Sequence, residues 1–67
     1  MELLIIKTGK RYLRIKDGAF LVVNLDKASV YPMDQLDQVN VYARDAKAEG
    51  LSQVHVKKLI LTEEDLQ

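Results

Sequence analysis

Three short apolar stretches open the chain: "ELLIIK" from Glu2, "RYLRIK" from Arg11 and "AFLVVN" from Ala19. Each is rich in Ile, Leu, Val or aromatic residues, and the turn signals Thr8-Gly9 and Asp17-Gly18 separate them. Asp-Gly predicts a type I′ hairpin turn, because both central positions need positive φ and glycine has no Cβ to resist it. At the first turn, either a Thr8-Gly9 loop or a four-residue loop from Lys7 to Lys10 places Ile6 opposite Arg11. Carried outward, that register sets Leu4 against Leu13, Ile5 against Tyr12 and Leu3 against Arg14. Around Asp17-Gly18 it sets Ile15 against Phe20, Leu13 against Val22 and Arg14 against Leu21. Side chains of a strand alternate between faces. One face of this meander therefore collects Leu4, Ile6, Leu13, Ile15, Phe20 and Val22. The other collects Leu3, Ile5, Tyr12, Arg14, Leu21 and Val23, rimmed by Lys7, Lys10 and Lys16. Both faces are largely apolar.

Past a polar bend at "NLDKA", "SVY" predicts a short fourth strand that Pro32 ends, since proline has no N–H for a ladder. A helix fits residues 34–48, where Leu36, Val39, Tyr42, Ala43 and Ala46 fall on one stripe. Asp34 suits its N-cap, Asp37 its first turn and Gly50 the residue just past its end. The two alanines let such a helix lie close to a sheet. "VHVKKLIL" predicts a last strand, with a bulge at Lys57-Lys58 because Val54 and Val56 share a phase that Leu59 and Leu61 do not. "TEEDLQ" offers a helix start at Thr62. A crossover from the third strand through the helix to a last strand lying beside the first makes the first strand central, which accounts for its apolar run. The expected fold is a two-layer α+β domain spanning residues 1–67, with the helix on the Phe20 face and the Tyr12 face left uncovered.

Composition sharpens this picture. A chain of 67 residues with no cysteine has no disulfide staple, and a domain of this size buries only about 60% of its unfolded surface. A partner or a second copy is then the common remaining source of stability. The absence of cysteine also fits a reducing, cytoplasmic compartment. The start "MELLIIK" lacks the basic n-region of a signal peptide, and no stretch approaches the ~20 apolar residues of a membrane span. Formal net charge is zero, yet the signs are segregated, since Lys7, Lys10, Arg11, Arg14 and Lys16 cluster early and Glu63, Glu64 and Asp65 lie in the tail.

These features define the candidates. Leu3, Ile5, Tyr12, Arg14, Leu21 and Val23 form an expected protein interface, because an uncovered apolar face invites a partner and Tyr and Arg are favoured binding anchors. The simplest occupant is a second copy in a symmetric dimer. Lys7, Lys10, Arg11, Arg14 and Lys16 form a possible nucleic-acid contact, although one aromatic and a neutral chain are a thin basis, and edge lysines ordinarily discourage aggregation. The lone His55, with Ser52 three residues before it, lacks an evident acid to orient the ring. Asp34 and Asp37 read as helix-start acids, and Glu63, Glu64 and Asp65 as a charged tail without a calcium-loop pattern. All three glycines sit at turns, so no phosphate-cradling loop exists. The expectation is a non-enzymatic protein–protein interaction module without cofactor or metal, homodimeric or a subunit of a larger complex. The alternatives are a nucleic-acid accessory protein and a phage or mobile-element inhibitor of a host complex.

Overall fold

The computed structural model describes residues 1–62. It has β1 (Glu2–Thr8), β2 (Arg11–Lys16), β3 (Ala19–Val23), β4 (Val30–Pro32), α1 (Leu36–Ala48) and β5 (Val54–Ile60), with single 3₁₀ turns at Leu25–Lys27 and Met33–Gln35. All strand pairs are antiparallel, and the helix packs on one side of the sheet, giving the two-layer α+β architecture that the sequence predicts. The helix start predicted from Thr62 falls mostly on residues 63–67, outside the described ones.

β1 is the central strand. Along one edge it pairs with β5 over its whole length, from Glu2 opposite Ile60 to Thr8 opposite Val54. Its other edge is shared. Lys7 and Thr8 pair with Tyr12 and Arg11 of β2, whereas Leu3, Leu4 and Ile5 pair with Pro32, Tyr31 and Val30 of β4. β4 and β5 thus run parallel to each other on either side of β1, and α1 joins them. The crossover starts from β4 rather than from β3, because β3 runs the same way as β1 and so opposite to β5.

The Asp17-Gly18 turn has both residues at positive φ, 51° and 77°, and the β2–β3 register is the one the sequence predicts. The first hairpin differs. Its loop is Gly9-Lys10, with Gly9 at φ 60°, so glycine takes the first central position as a type II′ turn requires. Thr8, not Ile6, therefore faces Arg11. The slip is two residues along the ladder, and because side chains alternate with period two, every residue keeps its predicted face.

Leu4, Ile6, Leu13 and Val54 meet Val39, Ala43 and Ala46 of α1 in one buried cluster, with Ile15, Phe20, Tyr31, Tyr42, Leu51 and Val56 packed around it. Ala46 is wholly buried, so the helix sits against the sheet at a point where only a methyl fits between them. The helix ends as predicted. Gly50 adopts φ 101°, its N–H donates to the Lys47 carbonyl at 3.0 Å, and the Leu51 N–H donates to the Ala46 carbonyl at 3.2 Å. That bond pair is the Schellman arrangement.

Two local expectations are corrected. Pro32 leads straight into the 3₁₀ turn, so Asp34 lies inside that turn, and Gln35 holds the N-cap position of α1 without a side-chain cap bond. No bulge interrupts β5, whose register against β1 is continuous. Leu59 consequently points away from the helix and Lys58 falls on the helix side, where its Nζ lies 3.3 Å from a Glu2 carboxylate oxygen. A diagonal ion pair at the sheet margin accommodates the lysine that sequence phase alone reads as a misfit.

Two substitutions test this packing. Ala46→Leu should lower unfolding free energy by about 1–3 kcal/mol, because the extra volume has no room between helix and sheet. Gly50→Ala should cost about 1–2 kcal/mol by forcing a Cβ into a left-handed conformation. Urea titration reads both as a lower midpoint with an unchanged slope, and an unaltered midpoint for either would contradict the corresponding contact.

Candidate functional site

Strand register decides which side chains share the side of the sheet away from α1. His55, Lys7, Tyr12 and Val23 form one row across β5, β1, β2 and β3. Lys57, Ile5 and Val30 form the next across β5, β1 and β4, and Leu59, Leu3 and Pro32 the one beyond. Arg14 with Leu21 and Lys16 with Ala19 extend the same face along the β2–β3 hairpin. The predicted interface set therefore occupies one surface, and among the described residues no helix or strand lies over it. Leu21 and Val30 are 43% and 45% exposed, and Leu3, Tyr12, Arg14 and Val23 are half-buried. Ile5 is different. It lies on this face but is only 2% exposed, being held on the central strand between Val30 and Lys57. It can brace a contact but has little surface left to give to one.

The basic stretch does not stay together. Lys7, Arg14 and Lys16 project onto the open face, Lys10 occupies the turn, and Arg11, opposite Thr8, belongs to the helix side. The fold adds what the sequence reading missed, since β5 brings Lys57 and His55 alongside β1. The only sequence signal for them is the alternation His55, Lys57, Leu59, and it is informative only once β5 is known to flank β1. The strand positions of this face then carry Lys7, Arg14, Lys16 and Lys57 and no Asp or Glu. The Lys7 ammonium lies 5.7 Å from the centroid of the Tyr12 ring, a cation–π contact.

The other candidates remain scattered. His55 is exposed on β5, while Ser52 precedes that strand and uses its carbonyl to accept the Thr8 hydroxyl at 2.7 Å. No hydrogen bond joins His55 to Ser52 among the described residues. Asp34 and Asp37 find no third ligand, since no group of three potential metal-binding side chains gathers among the described residues. Glu63, Glu64 and Asp65 lie outside them. Among the described residues, shallow grooves flank the helix on both sides. One, of about 280 Å³, runs between α1 and β5 and is bordered by Asn40, Arg44, Lys47 and His55. The other, of about 430 Å³, lies between the β2–β3 hairpin and the end of α1, with Phe20 and Tyr42 below and Asp45 and Glu49 at its rim. Neither assembles a nucleophile, a base and an orienting group.

The chain matches no protein-family model, no curated protein and no solved structure. Among the described residues no helix is long and apolar enough to cross a membrane. The class that fold and surface define is a small α+β protein with one face of its sheet bare.

On the covered side, Tyr31 stacks at a tilt on Tyr42, with ring centroids 5.7 Å apart. Burial pushes the Tyr31 phenol above its ordinary 10.0, the neighbouring Ser29 hydroxyl opposes the shift, and charge on Tyr42 adds to it. The unfolded chain then ionises this group at lower pH than the folded one. Its stabilising contribution is complete below pH 10 and is lost as pH rises through the folded value. In an ultraviolet titration the transition that Tyr31→Phe removes should lie above the ordinary tyrosine value of 10.0, and loss of a transition at or below that value would contradict the burial.

Proposed function

We propose that this chain is a non-enzymatic interaction module that docks a partner protein through the sheet face bearing Tyr12. The observation that carries the reading is the one-sidedness of the helix. Val39, Ala43 and Ala46 cover the centre of one face of the sheet, while no helix covers the other, where Leu21 and Val30 stay more than two-fifths exposed. Isolated apolar residues on a surface are ordinary, but apolar residues contiguous across neighbouring strands mark contact surfaces. Tyr12 and Arg14, neighbours on the same side of β2, are the residue types that anchor such contacts. The scattering of His55, Ser52 and the helix-start acids supports a module that binds rather than one that turns over a substrate.

Photocrosslinking tests this with a built-in control. Leu21 on the bare face and Leu36 at the start of α1 are each 43% exposed, so a benzophenone amino acid at either position meets solvent equally. In cells that naturally make the protein, position 21 should yield a discrete protein adduct and position 36 should not. Tyr12→Asp should abolish the adduct while leaving the circular dichroism spectrum unchanged. Equal labelling from both positions would defeat the reading.

A further inference from the structure

Resting on the docking role of this face, we infer that its partner is a different protein whose contact surface is acidic around an aliphatic centre, and not a second copy of this chain. The face mixes two kinds of side chain. Lys7, Arg14, Lys16 and Lys57 are all cationic, and no strand position on this face holds an acid. Among the described residues, Asp37, Asp45 and Glu49 lie on and just after α1, Glu2 lies on the helix side of β1 with Lys58 at 3.3 Å, and Asp17, Asp26 and Asp34 lie in the turns between elements. Packing two sheets face to face is geometrically ordinary, with the sheets about 10 Å apart. In a symmetric pair, however, two copies of these four cations would crowd into one interface as water is excluded, with no acid at a strand position of either face to oppose them. Like charges brought together across a desolvated interface repel, so the same apolar surface that invites docking rejects its own copy.

A polyanion such as single-stranded nucleic acid would satisfy the cations but not the rest of the face. Base recognition on a sheet uses aromatic platforms. Here Leu3, Leu21, Val30 and Leu59 have no π-face to offer, and the single ring, that of Tyr12, already carries the Lys7 ammonium 5.7 Å from its centroid. Aliphatic side chains gain most from other aliphatic side chains. The combination that satisfies both kinds of residue is a protein surface with Leu- or Val-type groups inside a ring of carboxylates.

The decisive probe is this chain with its own face inverted in sign. The variant Lys7→Glu/Arg14→Glu/Lys57→Glu keeps the aliphatic surface and supplies the carboxylates. Light scattering at low ionic strength should find wild type alone monomeric, the variant alone monomeric, and their mixture a one-to-one complex. Salt should weaken that complex at least about tenfold as it rises to ~0.5 M, where screening leaves little reach beyond contact distance. A fluorescein-labelled dT20 strand should bind wild type more weakly than the variant does. If the triple variant does not fold by circular dichroism, Lys16→Glu/Lys57→Glu, both at exposed positions, replaces it. A wild-type dimer at low salt would overturn the inference in favour of a second copy while leaving docking through this face intact. Binding of dT20 as tight as that of the variant would overturn it in favour of nucleic acid. A mixture that stays monomeric, with dT20 unbound, would overturn it as well, and the position 21 crosslink then separately decides whether the face docks at all.

Discussion

Everything in this fold follows from a strand that is apolar on both sides. Leu4 and Ile6 point to the helix and Leu3 and Ile5 point away from it, so β1 can be stable only in the middle of a sheet. β5 covers one edge, and β2 and β4 divide the other. The single helix then has to choose a face. It is about 10 Å across, whereas the row from β5 to β3 spans three strand spacings, about 14 Å. Even the covered side is therefore closed only near its centre. Leu13 and Ile6 are buried, while Val22 on the outermost β3 is 39% exposed and Ile60 at the far end of β5 is 61% exposed. No rearrangement of one short helix could also cover Leu21 and Val30 on the reverse side.

Dividing an edge between two strands creates a problem that one residue solves. After Tyr12, β2 no longer pairs with β1, because β4 takes its place. The backbone groups of Leu13 and Ile15 on the departing side then need partners in a part-buried setting. Ser29 provides both, its N–H donating to the Leu13 carbonyl at 3.1 Å and its hydroxyl accepting the Ile15 N–H at 2.9 Å. The β2–β3 hairpin is thus tied to the chain just before β4, and Arg14, Lys16 and Leu21 are held on the same surface as Lys7 and Val30. The shape of the bare face depends on this clamp as much as on the ladder.

What the sequence made legible was whatever depends on alternation. The two faces, the Asp17-Gly18 turn and the Gly50 terminus all follow from local chemistry or from a period of two, and a two-residue slip in the first hairpin leaves the faces untouched. What it hid depends on pairing between distant segments. Gly9 could serve either of two adjacent positions in a turn, and in the one observed, which leaves Thr8 opposite Arg11, its N–H donates to the distant Gln53 carbonyl at 3.1 Å. Lys58 looks like a phase error until Glu2, 56 positions earlier, is found beside it. Lys57 and His55 join the candidate surface only because β5 returns to lie along β1. The early basic stretch was visible as a cluster, but the strand sends Arg11 to the opposite face from Arg14 and Lys16. Proximity in sequence overstated one part of the surface and omitted another.

A formal charge of zero is consequently a poor guide to this molecule. In a two-layer fold the two outer surfaces are separate electrostatic bodies, and here the helix side mixes signs, with Arg44 and Lys47 among its acids, whereas the strand positions of the open face carry only cations. Asp37, Asp45 and Glu49 accompany the helix, where Asp37 also complements the positive end of the helix dipole. Lys7, Arg14, Lys16 and Lys57 accompany the open side of the sheet. Balanced totals keep long-range self-repulsion small, whereas a partner that approaches within about a Debye length, near 10 Å, meets a surface of one sign. Charge would then govern orientation during the approach, and the aliphatic residues between the lysines would govern persistence once water leaves. Those two tasks need different residues on one surface, and a strand can interleave them because every second position faces the same way, as Tyr12, Arg14 and Lys16 do on β2 and Lys57 and Leu59 do on β5.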